Sequence, residues 1–258
     1  MYPRIGTPPH VLNLYMVCAG LGLAAVVWLT LRQLKSLPNG KQLENRLMIC
    51  IPGLSLCGVF CAFWLDAVFH RGLAGILQPR WGGGLTFYGW LIGAVFFFRV
   101  YSWTAHVEYM TLLNLFLPAF APAQAFGRIG CFLGGCCYGK PGGGWIGICY
   151  PEGSLADKTY GNQPLYPVQL LEAGLLFLLG WFLFRRVRFE YRGAFYLLML
   201  GLIRFPLEFL RGDSRGKISG LEMLSPAQWI SIVCLLAGIS LIIRLYRWDV
   251  KGKSEQTI

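Results

Sequence analysis

Charged residues are scarce in this sequence of 258 residues. They make up 14% of it, whereas hydrophobic residues make up 55%. A soluble domain carries about 25% charged residues. The sequence also has no low-complexity segment and no internal repeat. This composition excludes a disordered chain and argues against a water-soluble globular domain.

The nine cysteines lack the spacing of a metal site or of a secreted disulfide scaffold. Such scaffolds are short, polar and dense in cysteine. Cys131, Cys136, Cys137 and Cys149 lie close together in the sequence, but no CxxC pair and no suitably spaced histidine accompanies them. Structural zinc sites usually need one or the other. We therefore assign no metal and read these cysteines as small packing residues, with a disulfide as the open alternative.

Long apolar stretches dominate what is present. A helix that crosses a bilayer needs about 20 mostly apolar residues, and seven stretches qualify. They lie at about 10–31, 47–69, 85–102, 112–134, 166–184, 193–210 and 226–243. Gly, Pro and polar residues interrupt the third and fourth stretches, and a broken backbone at membrane depth is tolerated only where it is buried in protein or lines a wet cavity. The 33 glycines suit such a protein, because small residues let membrane helices approach closely. The sequence thus predicts one polytopic membrane domain over residues 1–258, an all-α bundle of seven transmembrane helices.

The basic residues set the predicted orientation, because cytoplasmic loops carry an excess of Lys and Arg. Twelve lie in the loops after the first and fifth stretches and in the tail: Arg32, Lys35, Lys41, Arg46, Arg185, Arg186, Arg188, Arg192, Arg244, Arg247, Lys251 and Lys253. Eight lie in the longer loops on the other side. The N-terminus is thus predicted outside and the C-terminus inside, with residues 138–165 as a periplasmic loop cap. Because the basic residues flank apolar segments, the net charge of +11 does not indicate nucleic-acid binding.

Two arginines lie inside apolar stretches, where a charge is costly and usually functional. Arg128 lies between Gly127 and Gly130, which open the backbone to a ligand. Arg204 precedes Glu208 by four residues, so these two could simply form an ion pair on one helix face. The alternative is a phosphate site, because a guanidinium offers fork-like donors that match a phosphate. Two such arginines suggest a phospholipid head group.

Two further segments carry polar residues at the start of an apolar stretch. Tyr88 is followed by Gly89 and Gly93, a spacing that also serves helix packing, and Tyr88 could be an interfacial tyrosine. Gln169 and Glu172 lie about one helical turn apart at the start of the fifth stretch. A capping or interfacial role for these two is as plausible as a site role.

Together these segments resemble the prolipoprotein diacylglyceryl transferase family over nearly the whole chain. Four of the family's motifs match Gly127–Phe132, Tyr88–Gly93, Tyr166–Glu172 and the set of Arg204, Glu208 and Arg211, while Gln228–Trp229 matches the start of its last span. The chain departs from the family in its second stretch, which carries Asp66 and no arginine, and at three motif positions. Tyr88 stands where the family has histidine, Cys131 where it has asparagine and Cys136 where it has glutamate.

The resemblance implies a seven-span enzyme of the bacterial inner membrane. It would transfer diacylglycerol from phosphatidylglycerol to the lipobox cysteine of a prolipoprotein and release glycerol-1-phosphate, without a cofactor. The implied catalytic residues are Arg128, Arg204, Tyr88 and Glu208, with Glu208 orienting Arg204. The implied substrate-binding residues are Gly89, Gly93, Gly127, Gly130, Cys131, Gly139, Gln169 and Arg211. A different acceptor for the same donor, or a lipid-binding protein without catalysis, stays open.

Overall fold

A computed structural model describes residues 4–5, 12–37, 40–71, 87–142, 144–213 and 223–255. Within these ranges the chain forms eight α-helices: α1 (Leu14–Leu34), α2 (Gly40–Arg71), α3 (Phe87–Ala105), α4 (Tyr109–Leu133), α5 (Leu155–Tyr160), α6 (Val168–Arg186), α7 (Arg192–Phe209) and α8 (Pro226–Glu255). Two short antiparallel strands, β1 (Arg4–Ile5) and β2 (Leu12–Asn13), precede α1. The Asn13 side chain caps α1 by accepting a hydrogen bond of 3.0 Å from the Tyr15 amide.

The all-α class predicted from the sequence is confirmed, apart from the two-residue strands. Each of the seven apolar stretches overlaps one long helix, and α5 lies outside them. Among the residues that the structure describes, four segments are long and apolar enough to cross a membrane: Leu14–Leu34, Cys50–Val68, Val168–Arg186 and Pro226–Val250. The count of seven spans stays a prediction.

Helix α4 lies at the centre of the bundle and packs against α1, α3, α6 and α7. Its residues 112–121 are all buried, as expected for a helix that is apolar on every side. The sequence predicted that this segment would be interrupted, but α4 is continuous through Pro118 and Pro122. Neighbouring helices can support proline inside a membrane helix, and α6 provides such support where Gly180 packs against the Pro122 ring.

Gly89 and Gly93 let α3 pack closely against α2. A Cβ atom at Gly89 would lie 2.4 Å from the carbonyl oxygen of Cys61, and one at Gly93 would lie 2.9 Å from that of Cys57. Both distances are too short for a real side chain. Gly89 and Gly93, which the family resemblance implied as substrate-binding residues, therefore face α2. This is the helix-packing role that the sequence left open.

One end of the bundle collects basic side chains. Arg192 donates a hydrogen bond of 2.9 Å to Gln33, which itself bonds the Leu115 carbonyl, and Arg46 bonds the Ala105 carbonyl. Arg188 pairs with Asp249 near the end of α8. These contacts lie at the C-terminal ends of α1, α3 and α8 and at the N-terminal ends of α2, α4 and α7.

The opposite end is covered by the loop segment between α4 and α6, which contains α5. Ile148 and Leu165 exchange backbone hydrogen bonds of 2.9 and 3.0 Å, and a small apolar cluster of Tyr138, Tyr150, Ala156 and Leu165 lies beneath them. A backbone bridge between Gly139 and Arg211 ties this cap to the end of α7. The predicted cap thus has its own small core and a fixed attachment to the bundle.

Candidate active site

Three buried charged side chains meet where α4, α6 and α7 approach the cap. The Arg128 Nε atom lies 2.9 Å from Oε1 of Glu172. The Arg204 Nη1 atom donates a hydrogen bond to the same oxygen. The side chains of Glu172 and Arg204 are only 2% and 3% exposed, and that of Arg128 is 11% exposed. One carboxylate is therefore shared by two arginines.

The packing of the helices explains this meeting. Arg128 lies in the last two turns of α4, Glu172 in the second turn of α6, and Arg204 in the last two turns of α7. Because α4 packs against both α6 and α7, and α6 packs against α7, the three residues face a common interior. At about 1.5 Å of rise per residue, they lie roughly 6–9 Å inside the helix ends.

The three side chains together carry one net positive charge. Burying an arginine is costly unless a charge partner and hydrogen bonds compensate it. Glu172 compensates one of the two guanidinium charges. The remaining charge favours an anionic ligand at this place.

A cavity of about 390 Å³ opens beside Arg128 between α1, α2, α3 and α4. Its wall is mostly apolar, with a few polar groups at intervals. The polar groups include those of Tyr15, Ser55, Gln124, Arg128, Cys131 and Cys137. Gly127 also lines the cavity, and a Cβ atom there would meet nothing within 4 Å. An apolar cavity with one cationic end suits an amphipathic ligand that has an anionic head.

Gln169 connects this site to the cap. Its Nε2 atom donates a hydrogen bond of 2.8 Å to the Cys136 carbonyl, and its amide exchanges hydrogen bonds with the Tyr150 hydroxyl. Burial raises the pKa of the Tyr150 phenol, while the hydrogen bond with Gln169 acts in the opposite direction. Because the net effect raises this pKa, Tyr150 stays a neutral hydrogen-bonding group at neutral pH. Gln169 thus supports the cap above the arginines.

Glu208 makes polar contacts close to the cap. The sequence suggested that it orients Arg204, and a carboxylate that contacts the Arg204 guanidinium is that of Glu172. Glu208 accepts a hydrogen bond of 3.2 Å from the Ser225 hydroxyl and lies 4.0 Å from Arg211. The side chain of Arg211 makes two hydrogen bonds of 3.0 Å to Asp213. Glu208 and Arg211 therefore belong to a second polar cluster at the junction with the cap.

The other predicted residues divide between cavity and packing positions. Cys131 lines the cavity. Gly130 packs against Tyr15 and Cys18, and Gly139 packs under the Tyr166 backbone. Tyr88 is the second residue of α3, and its side chain lies outside the part of the chain that the structure describes.

The sequence did not single out Tyr15 and Gln124, although both line the cavity. Gln124 lies one helical turn before Arg128, a spacing that could have marked it, whereas Tyr15 lies in no charged or glycine-rich motif. Their role follows from the side of the helix that faces the cavity, which depends on packing.

Comparisons with known proteins agree with this geometry. The sequence profile of the family described as "Prolipoprotein diacylglyceryl transferase" matches residues 4–244. The chain is 35% identical over 228 residues to the "Phosphatidylglycerol--prolipoprotein diacylglyceryl transferase" of Clostridium tetani, which covers 87% of this chain and 88% of that protein. It is 38% identical over 179 residues to the "Phosphatidylglycerol--prolipoprotein diacylglyceryl transferase 2" of Clostridium perfringens, with 67% and 66% covered. The chain therefore belongs to the prolipoprotein diacylglyceryl transferase family.

Proposed function

We propose that this membrane protein transfers the diacylglyceryl group of phosphatidylglycerol to the lipobox cysteine thiol of prolipoproteins. The observation that carries the proposal is the pair of buried arginines that share Glu172 beside an apolar cavity. The names of the relatives supply the two substrates. The site supplies what the donor requires, namely positive charge for a phosphate and apolar volume for acyl chains.

In this proposal Arg128 holds the phosphate of the lipid head group. It is the more exposed of the two arginines and lines the cavity. Arg204 is held against Glu172 and adds positive charge from behind. The acyl chains would lie along the apolar wall formed by residues such as Leu54, Phe116 and Phe120.

The reaction would be a nucleophilic displacement at a glyceryl carbon. The substrate thiol loses its proton, because the thiolate is the competent nucleophile. Its sulfur forms a C–S bond while the C–O bond to the phosphate breaks, and glycerol-1-phosphate leaves with the bonding electrons. Charge that develops on the departing phosphate is stabilised by the two guanidinium groups in a water-poor site.

Tyr88 would supply a hydroxyl to the lipid head group. It stands where the family has histidine, and its ordinary pKa of about 10 makes it a poor base. The proton acceptor for the thiol is left to another group or to water.

The proposed topology has seven spans, with the N-terminus outside and the C-terminus in the cytoplasm. The basic end of the bundle supports it, since cytoplasmic ends are rich in Lys and Arg. This topology puts the cap and the arginines on the periplasmic side. Outward-facing apolar residues such as Leu56, Phe96 and Leu178 fit contact with lipid tails.

The test is transfer in a purified system. The protein in detergent is mixed with phosphatidylglycerol that carries labelled acyl chains and with a lipobox peptide. We expect a lipid-modified peptide and release of one glycerol phosphate per transfer. A peptide in which serine replaces the lipobox cysteine is the control and stays unmodified.

Glycerol phosphate release without peptide modification would show the same donor with a different acceptor. Absence of both products, with lipid binding retained, would contradict the proposed enzymatic activity. Rescue of a bacterial strain depleted of its own diacylglyceryl transferase provides an independent readout in cells.

A further inference from the structure

Three thiols meet at the end of α4, where the sequence offered no metal-binding spacing. The Sγ atoms of Cys131, Cys136 and Cys137 all lie within 4.8 Å of one another. All nine cysteines lie within the residues that the structure describes, and none of them forms a disulfide there. The cluster therefore consists of three thiols on a stretch of seven residues.

The turn at the C-terminal end of α4 brings these cysteines together. Gly135 has a positive φ of 67°, its amide bonds the Phe132 carbonyl at 3.1 Å, and the Cys136 amide bonds the Cys131 carbonyl at 3.1 Å. This pair of bonds is a Schellman motif, which turns the chain back over the last helical turn. It brings Cys136 directly above Cys131, and the Cys136 thiol contacts the Cys131 carbonyl.

The backbone of Cys137 adds a second, independent observation. It has a φ of 61°, a left-handed conformation that is uncommon for residues other than glycine. Strained conformations of this kind cluster at functional sites. Here the left-handed turn brings the third thiol to the other two, and Cys137 lines the cavity together with Cys131.

The sulfur positions fit a small thiophilic cation. Zinc–sulfur bonds of about 2.3 Å in a tetrahedral site put the sulfur atoms roughly 3.8 Å apart. The three thiols would reach that spacing by shifts of about 1 Å. Soft thiolate ligands select zinc, copper(I) and similar ions over magnesium or calcium.

The charge of the surroundings fits as well. Three thiols that bind a divalent ion release three protons, and the resulting group carries one net negative charge. Arg128 lies one helical turn before Cys131 on α4, and it belongs to the group with Glu172 and Arg204 that carries one net positive charge. A positively charged group therefore lies beside the place where a negatively charged metal–thiolate group would form.

We propose that Cys131, Cys136 and Cys137 bind one thiophilic metal ion at the Arg128 end of the cavity. The first test uses Cd²⁺, whose bonds to thiolates absorb in the ultraviolet. The reduced full-length protein in detergent is titrated with Cd²⁺ in the absence of oxygen. We expect saturation at one equivalent, and at least about tenfold weaker binding in Cys131→Ser, Cys136→Ser and Cys137→Ser, since even loss of a residue that supports a ligand costs 10–100-fold.

The matched control is Cys149→Ser, which removes an exposed cysteine of the same cap outside the cluster. Its Cd²⁺ binding should equal that of the wild type. The proposal is overturned if the wild type gives no metal–thiolate absorption, or if the absorption survives removal of all three cluster cysteines.

A second measurement needs no variant of the cluster and so does not depend on the folding of a mutant. The wild type is alkylated with and without one equivalent of Cd²⁺, and the modified cysteines are identified by mass spectrometry. We expect slower alkylation of Cys131, Cys136 and Cys137 in the presence of Cd²⁺ and an unchanged rate at Cys149. Equal rates at the three cluster residues would contradict the site. Neither measurement depends on transfer activity.

Discussion

At the scale of single residues, Glu172 is the centre of the site. It was expected either to cap a helix or to serve the site, and its carboxylate proves to be shared by Arg128 and Arg204. A shared carboxylate holds both guanidinium groups in place and leaves one positive charge for the ligand. This arrangement makes different predictions for the arginines and for the glutamate.

Replacing either arginine should abolish transfer while the protein stays in the membrane. Arg128→Ala and Arg204→Ala each remove positive charge that the departing phosphate needs. Arg128→Lys should also be impaired, because lysine keeps the charge but loses the fork of donors. The measurement is the transfer assay with phosphatidylglycerol and a lipobox peptide. Arg188→Ala, at an exposed arginine of the basic end, is the control; near-normal turnover in Arg128→Ala would refute the head-group assignment.

Glu172→Gln should act on stability as well as on activity. Removing one partner of a buried ion pair costs about 3–5 kcal/mol, because the remaining charges are left uncompensated. We expect a lower thermal unfolding temperature in detergent. Glu190→Gln is the control, because its carboxylate is 57% exposed beside Arg188 and such surface pairs contribute about 0–1 kcal/mol. Equal changes in unfolding temperature for the two substitutions would show that Glu172 does not stabilise the protein by compensating the buried arginines.

Substitutions of Tyr88 distinguish a hydrogen-bonding role of its hydroxyl from a role as general base. If it bonds the lipid head group, Tyr88→Phe should weaken lipid binding but leave measurable transfer. Tyr88→His introduces a group with a pKa near about 6.5 that can accept a thiol proton. The two variants and the wild type are compared in the same transfer assay. Complete loss in Tyr88→Phe with full activity in Tyr88→His would assign the base to this position instead.

At the scale of the helices, close packing of α2 against α3 depends on a glycine. Gly89→Ala would put a Cβ atom 2.4 Å from the Cys61 carbonyl oxygen, so a backbone must shift. Overpacking of this kind costs about 1–3 kcal/mol. The matched control is Gly174→Ala in α6, where a Cβ atom would meet nothing within 4 Å and alanine improves helix propensity. Thermal unfolding should be lowered by the first change only; no difference between them would argue against the tight contact.

Helix α4 is an element whose continuity could not be predicted from local sequence rules. Its glycines and prolines predicted an interruption, yet the helix runs from Tyr109 to Leu133. Local rules consider the hydrogen bond that proline removes and the clash of its ring with the preceding helical turn. They do not consider the four neighbouring helices that pack against this segment.

At the scale of the whole molecule, the topology can be tested with two exposed positions at opposite ends. Lys158 lies in the cap and Arg188 at the basic end. In a Cys149→Ser background, Lys158→Cys should react with a membrane-impermeant thiol reagent in intact cells, and Arg188→Cys should react only after permeabilisation. The background without an added cysteine is the control. The reverse pattern would invert the topology and move the site to the cytoplasmic side.

Composition and motif order determined the class of protein. Scarce charge and seven apolar stretches predicted a helical membrane protein, because apolar helices must satisfy their backbone hydrogen bonds within themselves in lipid. The ordered motifs that include Arg128, Arg204 and Tyr166–Glu172 indicated the family. These features are local in the sequence, so they could be read without knowing how the helices pack.

Tertiary structure alone decided which of these residues meet. The sequence put Glu208 one turn from Arg204, yet Glu172 on another helix pairs with Arg204 and also with Arg128. It likewise gave no sign that a Schellman turn and a left-handed Cys137 would gather three thiols. Spacing along one helix specifies neighbours within that helix, whereas partners on different helices depend on the rotation and depth at which the helices pack.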